Sequence, residues 1–374
     1  MDFSYSDEQQ AILGLARQIL SDGTSQERLR QVERGGAARF DRELWARLAG
    51  AGLLGTAIAE EYGGSGLSFL EVAGIAEQVG RTVAPVPFLE TVVLGVLPLA
   101  AFGSPGLCAA WLPRVAQGGA VLTAALAEPE GDPLRPATRA RRQGEGLRLS
   151  GTKLCVPAAP VADALLVPAS LEGGGLAVAL VEAGAPGLRV TPLLTTSGQP
   201  EARVDFADVA VPAGHVLADG AQGAEVVAWM LEREAAALAS LALGVCEEAL
   251  RLTGEYAKTR KQFGQPIAMF QAVGHRAADA YIDTEGIRLT ALQAAWRLSE
   301  GLPAATQVAA AAHWACAAGQ RVVHAAQHLH GGIGVDKEYP LHRHFLYAKQ
   351  LELTLGGSTR QLLRLGNLLA DATG

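Results

Sequence analysis

No CxxC pair occurs in this sequence: its four cysteines, Cys108, Cys155, Cys246 and Cys316, lie far apart along the chain. That spacing argues against a zinc site or any other metal centre of the Cys type, and against a disulfide framework. A reducing cytoplasm is the expected setting. Positive charge is not concentrated anywhere, since Arg and Lys are mixed with Asp and Glu and the net charge is −7. Such a surface gives no reason to expect nucleic acid or an anionic membrane as partner. Long apolar runs are also missing. The most apolar stretch, 88–102, contains Glu90 and Pro98 and is too short to span a bilayer. The opening segment MDFSYSDEQQ carries acids where a secretory leader would carry positive charge, which points away from export. Finally, no GxGxxG follows a strand-like segment, so a Rossmann dinucleotide site has no support.

What the chain does contain is 49% apolar and only 18% charged residues, the balance of a globular protein with a sizeable core. Its texture changes twice, which divides it into 1–120, 121–222 and 223–374. The first part reads as helices. Ser6 and Gln9 form a capping-box pattern ahead of an apolar-periodic run to about Leu20, and further helices are expected over 41–52, 68–81 and 88–102. The middle part is made of short, β-branched, alternating segments such as GLRLSGTKLCVPAA and EARVDFADVAVPAGHVL. They predict a compact antiparallel β domain. The last part is rich in Ala and Leu and predicts four helices, 223–260, 269–300, 303–331 and 341–373, packed as a bundle. Helices, then strands, then a bundle is an α+β order and not a doubly wound one.

Two segments carry chemistry. YAKTRKQFGQPIAMFQAVGHRAAD covers 256–279, and QHLHGGIGVDKEYPLHRHF covers 327–345. Arg260 offers a planar fork of donors suited to a pyrophosphate. Gln262 and Gln271 can hydrogen-bond neutral edges of a cofactor, and Phe263 and Phe270 supply apolar walls. Gly331 and Gly332 let backbone amides approach closely. His328/His330 and His342/His344 form H-x-H pairs, but i and i+2 face apart on a helix, so packing or surface roles are expected for them.

Together the two segments resemble the C-terminal signatures of the acyl-CoA dehydrogenase family. The resemblance implies a helical domain, a central antiparallel β domain and a C-terminal four-helix bundle, assembled as a tetramer with FAD between subunits. The implied reaction is α,β-dehydrogenation of an acyl-CoA thioester, with an electron-transferring flavoprotein as the expected acceptor. It also implies that Arg260, Gln262, Phe263, Phe270, Gln271, Gln327, Gly331 and Gly332 hold the adenosine-diphosphate half of an FAD whose flavin lies in the neighbouring subunit.

Other positions depart from the family pattern. Ala127 stands where a threonine hydroxyl would reach the flavin, and Cys155 and Pro157 replace an aromatic and a threonine. Gly356 of LELTLGGSTRQ stands where the catalytic glutamate is expected, and Leu355 is not the neighbouring aromatic. Some family members carry the glutamate on the first bundle helix instead, and spacing to Gly244 and Arg260 puts Glu234 there. Ala235 follows it where an arginine is usual. The expected function is therefore a subunit that completes a partner chain's FAD site in a heterotetramer, resembling the smaller subunits of steroid side-chain dehydrogenases. The alternatives are a self-sufficient homotetramer using Glu234, and a scaffold without catalysis.

Overall fold

The computed structural model describes residues 4–35, 39–129 and 131–371. Its N-terminal third forms α1 (Asp7–Gly23), α2 (Gln26–Arg34), α3 (Arg42–Gly50) and α4 (Phe69–Thr82). The capping box is present, with the Ser6 hydroxyl accepting from the Gln9 amide and the Gln9 side chain accepting from the Ser6 amide. The stretch 88–102 is not one regular helix. It is a π-helix over Leu89–Val96, continued by α5 (Leu97–Phe102), and α6 (Pro105–Ala116) follows. Pro98 sits in the first turn of α5, where its missing N–H costs least. The wider π register is the local accommodation upstream of it.

The central strands are β1 (Leu122–Ala124), β2 (Arg139–Gln143), β3 (Gly146–Pro157), β4 (Ala164–Leu171), β5 (Leu176–Glu182), β6 (Leu188–Leu193), β7 (Glu201–Val211) and β8 (Val216–Ala218). They form one sheet in the order β6-β7-β3-β2-β4-β5-β8, with β1 added beside β4. Most neighbours are antiparallel, as expected, but β1 and β2 each pair parallel with β4. Parallel pairs have no tight turn between them and leave no local signal in the sequence. Alternation in β7 buries Ala202, Val204, Phe206, Val209 and Val211 against Leu147, Leu149, Val167 and Val181. β4 is apolar almost throughout and is buried on both faces.

The C-terminal part contains α7 (Ala221–Thr259), a hairpin of β9 (Lys261–Gln262) and β10 (Gln265–Pro266), α8 (Gln271–Ser299) and α9 (Ala305–His330). The last expected helix is two helices, α10 (Leu341–Thr354) and α11 (Ser358–Asp371). Gly356 and Gly357 interrupt it, at φ +80° and +83°. Their amides close on the Leu353 and Glu352 carbonyls at 3.0 and 2.9 Å, the bonding of a Schellman C-cap.

The chain packs as two compact units. A helical unit gathers segments within Met1–Arg28, Phe69–Ala84 and Ala235–Gly374. A sheet-centred unit gathers Leu29–Ser68 and Pro85–Glu234. Among the described residues, no helix is long and apolar enough to cross a membrane.

Candidate functional site

In the helical unit, the two chemistry-bearing segments are held together by rings. Tyr256, four residues before Arg260, stacks on His330 with centroids 4.5 Å apart. Tyr339 packs edge-on against Tyr256, and its hydroxyl lies 3.0 Å from the His330 Nε2. The other His330 nitrogen, Nδ1, lies 2.8 Å from the Ala326 carbonyl. A carbonyl can only accept, so Nδ1 carries the proton and Nε2 accepts from the tyrosine. Burial pushes the His330 pKa down, which favours this neutral form. These rings join the end of α7 to the end of α9, and so bring the Arg260 segment beside the Gln327–Gly332 segment.

Around this anchor the expected contacts are presented outward. Arg260, Gln262, Phe263, Gln271, Gly331 and Gly332 are exposed, and Phe270 and Gln327 are half-buried. The guanidinium of Arg260 has no partner among the described residues. Phe263 is 94% exposed, a bare aromatic face on this surface. It sits at φ +51° in the β9–β10 turn, edge-on to Phe270 at 6.1 Å. Gln262 donates only to the neighbouring Lys261 carbonyl, and the Gln271 amide lies 3.4 Å from His275.

Two features test whether a dinucleotide fits this surface. The Gln327 Oε1 is buried with no hydrogen-bond partner, an acceptor awaiting a donor. Gly331 has φ 64° and ψ −140°, a conformation for glycine, and a Cβ at Gly331 or Gly332 would meet nothing within 4 Å. An unmet acceptor, a free guanidinium, bare aromatic rings and an open glycine cradle suit the adenosine-diphosphate half of FAD.

The sheet-centred unit holds the other expected positions. Ala127 and Pro157 contribute backbone: the Ala127 carbonyl accepts from the Leu154 amide at 3.0 Å, and the Pro157 carbonyl accepts from the Thr123 hydroxyl at 2.7 Å. Cys155 lies at φ +51°, where the β3–β7 register shifts, and its thiol hydrogen-bonds the Glu201 carboxyl. Beside it, the sealed Lys153 ammonium lies 2.7 Å from a Glu128 oxygen.

Glu234 is on α7 in the same unit. It is half-buried, set deep among protein groups while keeping part of its surface accessible. Burial and then the Glu90 carboxylate push its pKa up to about 7. The adjacent Arg233 does not neutralise it. That guanidinium lies over the Trp229 ring at 3.5 Å from the centroid, its Nη1 donates to the Trp229 carbonyl, and the acid acting on it is Glu232. In the helical unit, Gly356 cannot take a glutamate without strain. Its backbone is left-handed, and a Cβ there would come within 2.8 Å of the Arg360 side chain.

A helical domain, a mixed sheet and a helical C-terminal region with an outward dinucleotide-type surface define a flavin-dependent dehydrogenase class. The sequence model of the acyl-CoA dehydrogenase C-terminal domain matches residues 221–369, and that of the N-terminal domain matches residues 6–119. The chain belongs to the acyl-CoA dehydrogenase family, FAD-dependent oxidoreductases acting on CH–CH bonds of acyl-CoA thioesters. It is 42% identical to acyl-CoA dehydrogenase FadE27 of Mycobacterium tuberculosis, over 99% of both chains. Among solved structures it resembles the ChsE4-ChsE5 complex of Mycobacterium tuberculosis, at 43% identity and TM-score 0.93 over 99% of both chains. It also resembles the Tcur3481-Tcur3483 steroid ACAD, at 41% identity and TM-score 0.91 over 98% of this chain and 99% of that one.

Sequence reasoning passed over two groups. Tyr256 and Tyr339 lie inside the quoted motifs, and an aromatic in each was the available signal for the anchor. In the sequence, Glu90 stands out only as an interruption of an apolar run. A lone acid in such a run is itself a signal that something must receive its charge.

Proposed function

We propose that this chain is a subunit of a heteromeric acyl-CoA dehydrogenase, and that it lends its Arg260 and Gly331 surface to an FAD whose flavin sits in a partner chain. What supports this reading is that Arg260, Gln262, Phe263, Gln271, Gly331 and Gly332 are exposed in the helical unit, while Ala127, Cys155, Pro157 and Gly356 lack the hydroxyl, aromatic and carboxylate groups that the family pattern puts at these positions. The likeness to ChsE4-ChsE5 and to a steroid ACAD supports both a two-chain assembly and a bulky steroid-type acyl group as substrate.

In this assembly, Arg260 pairs with the pyrophosphate through its fork of donors. Phe263 and Phe270 would cover the adenosine, and the buried Gln327 Oε1 would accept a hydrogen bond from the cofactor. Gly331 and Gly332 leave room for backbone amides to point at the phosphates. FAD, when bound, accepts the hydride from the acyl β-carbon. The electrons then pass to an acceptor, for which an electron-transferring flavoprotein is the candidate by analogy.

A second reading rests on Glu234, which is reachable, has no cationic partner and holds its proton near neutral pH. Those are the properties of a general base matched to physiological pH. In this reading Glu234 takes the α-proton of the thioester and the assembly is a homotetramer.

Purification separates the two. The partner reading expects a colourless protein when the chain is made alone, and a yellow, active complex when it is co-expressed with a second acyl-CoA dehydrogenase chain. A yellow homotetramer that oxidises acyl-CoA unaided would establish the second reading and remove the first.

A further inference from the structure

One face of the sheet gathers arginines that the sequence spreads over β2, β3, β6 and β7. Strand registers fix their placement: Arg141 stands opposite Arg148, Arg139 opposite Ser150, Arg189 opposite Asp205, and Thr191 opposite Arg203. The other face of the same strands buries Ala140, Leu147, Leu149, Val204 and Phe206. By alternation the arginines point outward. Arg139, Arg141, Arg189 and Arg203 are exposed and Arg148 is half-buried.

Two aspartates organise them. Asp208 lies 3.5 Å from the Arg141 guanidinium and 3.4 Å from that of Arg148, which also donates to the Asp208 carbonyl at 2.8 Å. It sits at φ +54° where the β3–β7 register shifts, a bulge that turns its carboxylate toward the two cations. Asp205 accepts from Arg203 at 2.8 and 2.9 Å, from Arg189 at 3.1 Å and from the Thr152 hydroxyl at 2.8 Å. Like charges directly opposite one another destabilise a sheet, and a carboxylate shared by each arginine pair offsets this. Arg139 has no partner among the described residues. Five arginines against two aspartates leave this face positive on a chain whose net charge is −7.

We propose that this face docks an acidic protein surface, whose carboxylates take the guanidinium donors that Asp205 and Asp208 leave free. A guanidinium carries five N–H donors in a fork that matches a carboxylate. The aspartates already hold the forks in place, which lowers the ordering cost of binding. They also choose among anions. A nucleic acid or an anionic bilayer presents a dense array of phosphates, and the two aspartates within the face repel it. The net negative charge of the chain repels such polyanions at longer range. A protein surface can instead set a carboxylate against each arginine and a cation or amide donor against each aspartate. Contact through exposed charges makes the encounter fast and sensitive to salt. The proposal is independent of both readings of the catalytic assembly.

The test is fluorescence anisotropy of a labelled peptide of alternating Glu and Thr, titrated with the purified full chain at several salt concentrations. A labelled thymidine oligonucleotide and sedimented phosphatidylserine vesicles are run beside it. The peptide is expected to bind, more weakly as salt rises. The double variant Arg141→Gln, Arg148→Gln should weaken binding by about tenfold or more. Arg139→Gln should weaken it by less, and that variant has no partner in the fold to disturb. Arg42→Gln with Arg47→Gln, which removes two exposed arginines of α3, should leave binding unchanged. Melting temperatures check that the variants fold. Peptide binding that is absent, that survives the Arg141 and Arg148 changes, or that falls equally in the α3 control overturns the proposal. So does an oligonucleotide or vesicle that binds as tightly as the peptide. Self-association of the chain that the double variant abolishes would also overturn it, since the occupant would then be a second copy.

Discussion

At the scale of single residues, Lys153 shows how the sheet-centred unit handles charge. Its ammonium is fully buried, and the Glu128 carboxylate that neutralises it also accepts from the Thr138 amide at 3.0 Å. Burial alone would raise the Glu128 pKa, but the hydrogen bonds from Lys153 and Thr138 outweigh it and hold the group below the ordinary carboxylate range. Removing one partner of such a pair leaves an uncompensated charge, at a cost of about 3–5 kcal/mol. Lys153→Met is therefore expected to lower unfolding stability by about that amount in urea titrations. The double change with Glu128→Gln should recover much of the loss, and a double variant no better than the single one would show that the pair is not coupled.

Single residues stand out in the sequence by their own chemistry. Arg260, Gln271 and Gly331 could be picked out because their chemistry is local: a donor fork, an amide and a missing Cβ. The influence of the Glu90 carboxylate on Glu234 has no local signature, because more than a hundred residues separate the two along the chain. In the sequence, glycine at 356 marks the loss of the expected base. Its left-handed backbone adds a reason that composition cannot supply, since the Schellman cap that ends α10 favours glycine there.

Among elements, the regular ones followed from periodicity and the irregular ones did not. α7, α8 and α9 lie within a few residues of expectation, because an apolar stripe repeats along each of them. The break between α10 and α11 was hidden inside a continuous apolar pattern. The parallel pairings of β1 and β2 with β4 were hidden because they are set by the crossing of distant segments.

The α9 end carries a pH prediction of its own. His330 is buried and neutral, bonded to the Ala326 carbonyl and Tyr339 hydroxyl. His344 in α10 is buried too, with its Nε2 on the Arg81 carbonyl at 3.1 Å. Burial lowers both pKa values in the folded chain. The unfolded chain takes up protons at about 6.5, so it binds more protons than the folded one below that pH. The stability these groups contribute is thus complete above about pH 6.5 and is lost as pH falls through their folded values. Melting temperature should fall on acidification from pH 7 to pH 5, and His344→Gln should flatten that slope. An unchanged slope in that variant would contradict the assignment. Tyr339→Phe keeps the ring but removes the hydroxyl. It should weaken flavin retention in the assembled enzyme more than it lowers the melting temperature, since its expected effect is to loosen the two segments against each other.

For the whole molecule, the family, the α+β class and the order of helices, sheet and helices were all legible, because textures averaged over a hundred residues survive local error. The grouping of the chain into units was less so. Segments within Met1–Arg28 and Phe69–Ala84 pack with the C-terminal helices, whereas the rest of the N-terminal third packs with the sheet. That regrouping depends on which helix faces meet, and no stretch of sequence announces it.

The central claim is that this chain contributes to a cofactor it does not itself enclose. The most direct measurement is the flavin content of the complex co-expressed with a partner chain, with Arg260→Ala and Gln271→Ala introduced in this chain alone. The account predicts that the complex still assembles but loses most of its flavin, although every flavin-ring contact in the partner is untouched. A complex that keeps its full flavin content with both side chains removed would contradict it.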